Sequence, residues 1–256
     1  MKISFTEQGE GPSLVLIHGF CETSKLWDSF RSELADHFRV LTPDLPGFGN
    51  TALIPGQFSI SDVSEAIYAW LTDLDIQKTT VIGHSLGGYV TLALAENHPE
   101  VLHGFGLFHS TAYADGQEKK LSRDKTIEFV KDKGVDVFAR SFVPQLFYSK
   151  NRKWLKEEIS RVVDTAAETE LETLIAYTKA MRDRPDRTVV LRDFDNPILI
   201  MAGDKDTSVP VEAIYEQELL PKKGTVHIFS ETGHMGMFEN RERSILAIRN
   251  FMEYCN

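Results

Sequence analysis

Residues 79–97 read TTVIGHSLGGYVTLALAEN. The first four are β-branched throughout, which suits a strand. From Leu86 onward the apolar residues are dense enough for a buried helix, and almost no connection separates the two segments. Between them, Gly83-His84-Ser85-Leu86-Gly87 fits the pattern G-x-S-x-G. In that pattern a serine sits on a sharp strand-to-helix turn with its Oγ exposed. The positions two before and two after the serine come too close to their surroundings for a side chain, so both are glycine. The helix that follows aims backbone N–H groups and its positive dipole end at the serine.

The same alternation of strand and helix runs outward from this stretch. Short apolar runs at 13–17 (SLVLI), 38–42 (FRVLT), 101–108 (VLHGFGLF), 197–202 (PILIMA) and 225–229 (TVHIF) read as strands covered on both faces. Residues 62–74 carry Val63, Ala66, Ile67, Trp70, Leu71 and Leu74 on one helical stripe, and 240–252 repeat the pattern with Ile245, Ile248 and Met252. This predicts an α/β fold built on a doubly wound, mostly parallel sheet. Residues 111–186 break the rule. They hold no strand, and helices are expected near 121–133, 134–142, 151–165 and 167–183. The stretch ends in Arg182-Asp183-Arg184-Pro185-Asp186-Arg187, read as a polar linker. It is too long for a loop. The expectation is a helical cap, 111–186, inserted between two strands of a core made of 1–110 and 187–256. The cap would lie over the C-terminal edge of the sheet, where open α/β folds bind ligands.

Composition narrows the function. The chain has 256 residues and a formal net charge of −10, which argues against nucleic acid or anionic membrane as a partner. Two cysteines, Cys21 and Cys255, are too few for a disulfide framework, and no spacing suggests zinc. No run of eighteen apolar residues exists to span a membrane. The first twenty residues lack the pattern of a secretory signal, so the expected compartment is cytoplasmic. A small-molecule substrate and a monomer or homodimer are expected.

A nucleophilic serine needs a base, and the base needs an orienting acid. Asp204 and Asp206 follow the strand at 197–202, and His234 follows the strand at 225–229. Both loops end strands on the edge that carries Ser85. Of the two aspartates, Asp206 lies further into its loop and is the expected acid, with Asp204 a turn residue. Two N–H donors must hold an oxyanion. Leu86 supplies one at the helix start, and Phe20, in the turn after the first buried strand, supplies the other. Phe20, Phe138, Phe142 and Met235 are the expected substrate pocket. Asp44-Leu45-Pro46-Gly47-Phe48-Gly49 reads as a structural turn. His84 is expected to pack beneath the serine turn, with support of the site from behind as the alternative, and His109 to serve structure, with a place facing the pocket as the alternative.

These motifs together, L-I-H-G-F at 16–20, D-L-P-G-F-G at 44–49, G-H-S-L-G-G at 83–88, G-D-K-D at 203–206 and G-H-M at 233–235, resemble the α/β-hydrolase superfamily in its cap-bearing branch. The likeness covers the whole chain and is greatest to small-molecule esterases and hydrolases of the 3-oxoadipate enol-lactonase kind. It implies Ser85 as nucleophile, His234 as base, Asp206 as acid, no cofactor and no metal. The implied reaction is hydrolysis of a small ester, thioester or lactone, with activity rising as His234 loses its proton near neutrality. The alternatives are carbon–carbon hydrolysis, perhydrolysis or elimination on the same triad, or a small-molecule receptor with vestigial hydrolysis.

Overall fold

The computed structural model describes residues 1–255. Among the described residues, seven strands alternate with helices. They are β1 (Phe5–Gln8), β2 (Ser13–Ile17), β3 (Arg39–Pro43), β4 (Thr79–His84), β5 (Leu102–Phe108), β6 (Ile198–Gly203) and β7 (Gly224–Phe229). In sheet order they run β1-β3-β2-β4-β5-β6-β7. Only β1 is antiparallel; it lies against β3, with Phe5 opposite Pro43 and Gln8 opposite Val40. All other neighbours are parallel. β4 sits centrally and every residue in it is buried, so its C-terminal end opens onto the middle of the sheet edge.

The helices are α1 (Asp28–Leu34), α2 (Ile60–Asp73), α3 (Leu86–Asn97), α4 (Gln117–Lys133), α5 (Val135–Leu146), α6 (Lys156–Ala167), α7 (Leu171–Arg182), α8 (Thr188–Asp193), α9 (Val211–Gln217), α10 (Gly236–Glu239) and α11 (Arg241–Cys255). α2 packs on α3 and α3 on α8, while α1 packs on α11. α2 starts two residues earlier than the apolar stripe suggests. Ser59 caps it, accepting the Asp62 N–H at 3.3 Å, and the Asp62 carboxylate takes the Ser59 N–H at 2.7 Å.

Between β5 and β6 lies an insertion without strands. Its helices α4 to α7 pack on one another, α4 on α7 and on α5, and α5 on α6. α5 runs past the expected end, through Pro144 to Leu146, and the segment expected at 151–165 starts as a 3-10 turn at Asn151–Lys153 before α6 begins. The polar stretch 182–187 is exposed at Asp183, Pro185 and Asp186 but carries two buried arginines. Arg184 is buried, with Nη1 2.7 Å from Asp115 Oδ1 and its guanidinium 3.9 Å from the Tyr89 ring centre. Arg187 is buried too, with Nε 2.9 Å from Glu96. Buried cations need such partners, and these lie far away in sequence. Cys21 and Cys255 are both free. Among the described residues no helix is long and apolar enough to cross a membrane.

Candidate active site

Ser85 occupies the turn between β4 and α3 with φ 51° and ψ −113°. A non-glycine residue there is strained by about 1–3 kcal/mol, so its surroundings must impose the conformation. They do so by hydrogen bonds. The Ser85 N–H donates to Phe108 O at 3.0 Å, and the Ser110 hydroxyl donates to Ser85 O at 2.7 Å. Sterics close the turn as well. A Cβ on Gly83 would collide with the Gly87 backbone, and one on Gly87 would sit 2.5 Å from Ile17 O.

The loop after β6 delivers Asp206. Its Oδ1 accepts the N–H groups of Ser208 at 2.8 Å and Val209 at 3.0 Å. Its Oδ2 lies 2.7 Å from His234 Nδ1 and 3.2 Å from His109 Nδ1. Burial by itself would raise the carboxyl's pKa. The charge of His234 and the hydrogen bonds from His109 and His234 outweigh it and hold the group well below the usual carboxylate range. Asp206 thus stays ionised. Asp204 takes the turn role, accepting the Thr232 N–H at 3.4 Å. His109, Asp206 and His234 could be taken for a metal site. At 2.7 Å the Asp206 and His234 atoms are in hydrogen-bond contact, with no room for an ion between them.

His234 comes from the loop after β7, and this loop is fastened to the insertion. Leu146 ends α5, and the carbonyls of a helix's last turn lack intrahelical partners. Leu146 O accepts the His234 N–H at 2.7 Å. Glu239 finishes the fastening. Its Oε1 accepts the Gly233 and Met235 N–H groups at 3.0 and 3.2 Å. Its Oε2 accepts the Tyr148 N–H at 2.9 Å and the Asn151 side chain at 2.8 Å.

The turn after β2 carries Phe20. His18 pins this turn: its Nε2 accepts the Leu45 N–H at 2.9 Å and its Nδ1 donates to Gly19 O at 2.8 Å. The Asp44 turn is structural in the same sense, since Asp44 accepts the N–H groups of Ser24 at 2.8 Å and Asn50 at 3.1 Å. The N–H groups of Phe20 and Leu86 have no protein partner among the described residues. The Phe20 ring meets Phe138 and Phe142 of α5, each at 6.4 Å between centroids. Met235 is fully buried beside His234.

One residue of the site was legible only in part and one not at all. His109 was expected to serve structure, yet it touches Asp206 directly. Glu22 was not among the expected site residues. It is buried, and its carboxylate lies 3.0 Å from His84 Nδ1. A strand-end histidine and an acid three residues past His-Gly were the available clues.

A parallel sheet with a serine elbow on its central strand, and an Asp–His pair on the loops beyond, defines the class. The chain belongs to the alpha/beta hydrolase family, whose model matches residues 14–245. The pimeloyl-(acyl-carrier protein) methyl ester esterase of Aliivibrio fischeri is 26% identical over 251 residues, 96% of this chain and 95% of that protein. A thermophilic esterase from Thermogutta terrifontis superposes with a TM-score of 0.93 at 28% identity, over 99% of this chain and 93% of that one. Uncharacterized proteins of Mycobacterium tuberculosis and Mycobacterium bovis are 34% identical over 99 residues. That match spans 39% of this chain but only 29% of theirs.

Proposed function

We propose that this protein is a serine hydrolase of small carboxylic esters, thioesters or lactones, working through an acyl-enzyme. One observation carries the reading: Ser85 is held at φ 51° on the central strand's end while His234 Nδ1 is locked 2.7 Å from a buried, ionised Asp206. With Nδ1 engaged, Nε2 is the ring nitrogen left to take the serine proton. The esterase names of the relatives support the reaction class.

The Ser85 hydroxyl adds to the substrate carbonyl as His234 takes its proton. The N–H groups of Phe20 and Leu86 hold the oxyanion, and Asp206 stabilises the imidazolium. His234 then gives its proton to the leaving alcohol or thiol. Water, deprotonated by His234, attacks the acyl-enzyme and releases the acid. The insertion 111–186 acts as a cap, and Phe20, Phe138, Phe142 and Met235 make the apolar side of the pocket.

The test is p-nitrophenol release from acetate, butyrate and octanoate esters, followed by panels of lactones and thioesters. Wild type should turn over, and Ser85→Ala should lose about 10⁴-fold or more in kcat. Equal rates for the two proteins across all panels would overturn the reading.

A further inference from the structure

Behind Ser85 lies a second buried charge system that the proposed reaction does not use. Glu22 and His84 are both buried, with side-chain exposures of 4% and 0%. Glu22 Oε2 accepts the Gly19 N–H at 2.5 Å and faces His84 Nδ1 at 3.0 Å. On the other side of the ring, His84 Nε2 faces the carbonyl oxygen of His234 at 3.0 Å. A carbonyl only accepts, so Nε2 carries a proton. One more proton lies between Nδ1 and the carboxylate. The Gly19 N–H, donating to the same oxygen, favours negative charge on Glu22 and so places that proton on Nδ1.

We propose that Glu22 and a doubly protonated His84 form a buried ion pair that positions both the oxyanion loop and the base loop around Ser85. The pair touches three elements at once. It holds the turn after β2 through Gly19, one residue before Phe20. It is covalently part of the elbow, since His84 immediately precedes Ser85. It grips the backbone of His234 itself. Gly19 is glycine for the same reason: a Cβ there would lie 2.7 Å from Glu22 Oε2 and 2.8 Å from His84 Nδ1. Glu22 and His84 are positioning residues, since neither touches the reacting atoms.

The surroundings favour the charged pair. The ionisable groups facing His84 are Glu22 and His18 from the β2 loop, His109 from the end of β5, and Asp206 and His234 from the loops after β6 and β7. Burial alone would lower the His84 pKa, but the charge and hydrogen bond of Glu22, the His234 carbonyl and the Asp206 charge reverse this and raise it. Burial alone would raise the Glu22 pKa, but His84, His18 and the Gly19 N–H bring it below the usual carboxylate value. The sign for activity follows. The pair is intact below the raised His84 pKa. As pH rises through that value, His84 loses a proton and one of its two contacts becomes lone pair against oxygen. Activity then falls on the alkaline side.

Two measurements test this. In the first, kcat and KM on a p-nitrophenyl ester are followed from pH 5 to 10, with the Ser85→Ala background subtracted, for wild type and Glu22→Gln. The amide keeps the shape but not the charge. Expected are a kcat lowered about tenfold or more with KM little changed, as for a contact felt only in the transition state, and an alkaline limb moved to lower pH. A Glu22→Gln profile that superimposes on wild type would overturn the proposal. This arm rests on the hydrolase reading. The second does not, and it needs no variant to fold: imidazole ¹⁵N spectra of wild type, with the His84 ring assigned through its bonded correlations to its own backbone. Both His84 nitrogens should be protonated at pH 7, and a neutral ring would sink the ion pair whether or not the protein hydrolyses esters.

Discussion

His109 shows how one side chain couples the site to stability. It holds a left-handed backbone at φ 50° and is fully buried. Its Nδ1 lies toward Asp206 while Nε2 has no partner. Burial, offset in part by Asp206, pushes its pKa down to about 4 from an ordinary 6.5. The folded protein therefore holds His109 neutral where the unfolded chain would be protonated. Between pH 6.5 and 4 the unfolded state binds more protons, so stability falls as pH falls through that window and this contribution is flat above it. A shift of that size corresponds to about 3 kcal/mol. Urea unfolding of wild type at pH 7 and pH 4.5 should show the loss, and His109→Gln should lose less over the same interval. An equal loss in both would remove His109 as the cause.

At the scale of elements, the β4–α3 turn is the most demanding piece of chain. The Cβ that Gly83→Ala would add meets backbone of Gly87 and Gly88 rather than a movable side chain. We expect a cost of about 3 kcal/mol or more, read as a lowered melting temperature, together with loss of the proposed esterase activity. A variant as stable and active as wild type would show that the turn can relax. This element was legible because its geometry permits few residue types. Five of the parallel strands were legible too, since burial on both faces leaves a near-continuous apolar run; the sixth, β7, is a half-exposed edge strand and not covered on both faces as expected, and only its β-branched and apolar residues marked it. β1 was not: FTEQ has one apolar residue, and its place comes from pairing with the open edge of β3. Asp206 and His234 could be read because each lies on a loop just after a strand, on the sheet edge that carries Ser85. Glu22, Arg184 and Arg187 could not. A charged loop residue looks solvated until the fold brings its partner, and His84, Asp115 and Glu96 are all distant in sequence.

For the molecule as a whole, the decisive question is how a helical insertion is fixed to a sheet. Arg184 is one bolt. Besides Asp115 it donates to Met181 O at 2.7 Å and Tyr113 O at 2.9 Å, so both ends of the insertion meet at one guanidinium, stacked on Tyr89 of α3. Arg184→Ala would leave Asp115 buried with Arg123 alone. The expected cost is about 3–5 kcal/mol, with faster proteolytic cutting in 111–186; unchanged cutting and stability would show that the bolt is dispensable. Another fastening is the bond from the His234 N–H to the end of α5. It has a mechanical consequence. A movement that lifts residues 146–151 to admit or release a molecule also takes away the support of the histidine loop. Residues 146–151 and the histidine loop therefore cannot shift independently: displacing one breaks the hydrogen bonds that place the other.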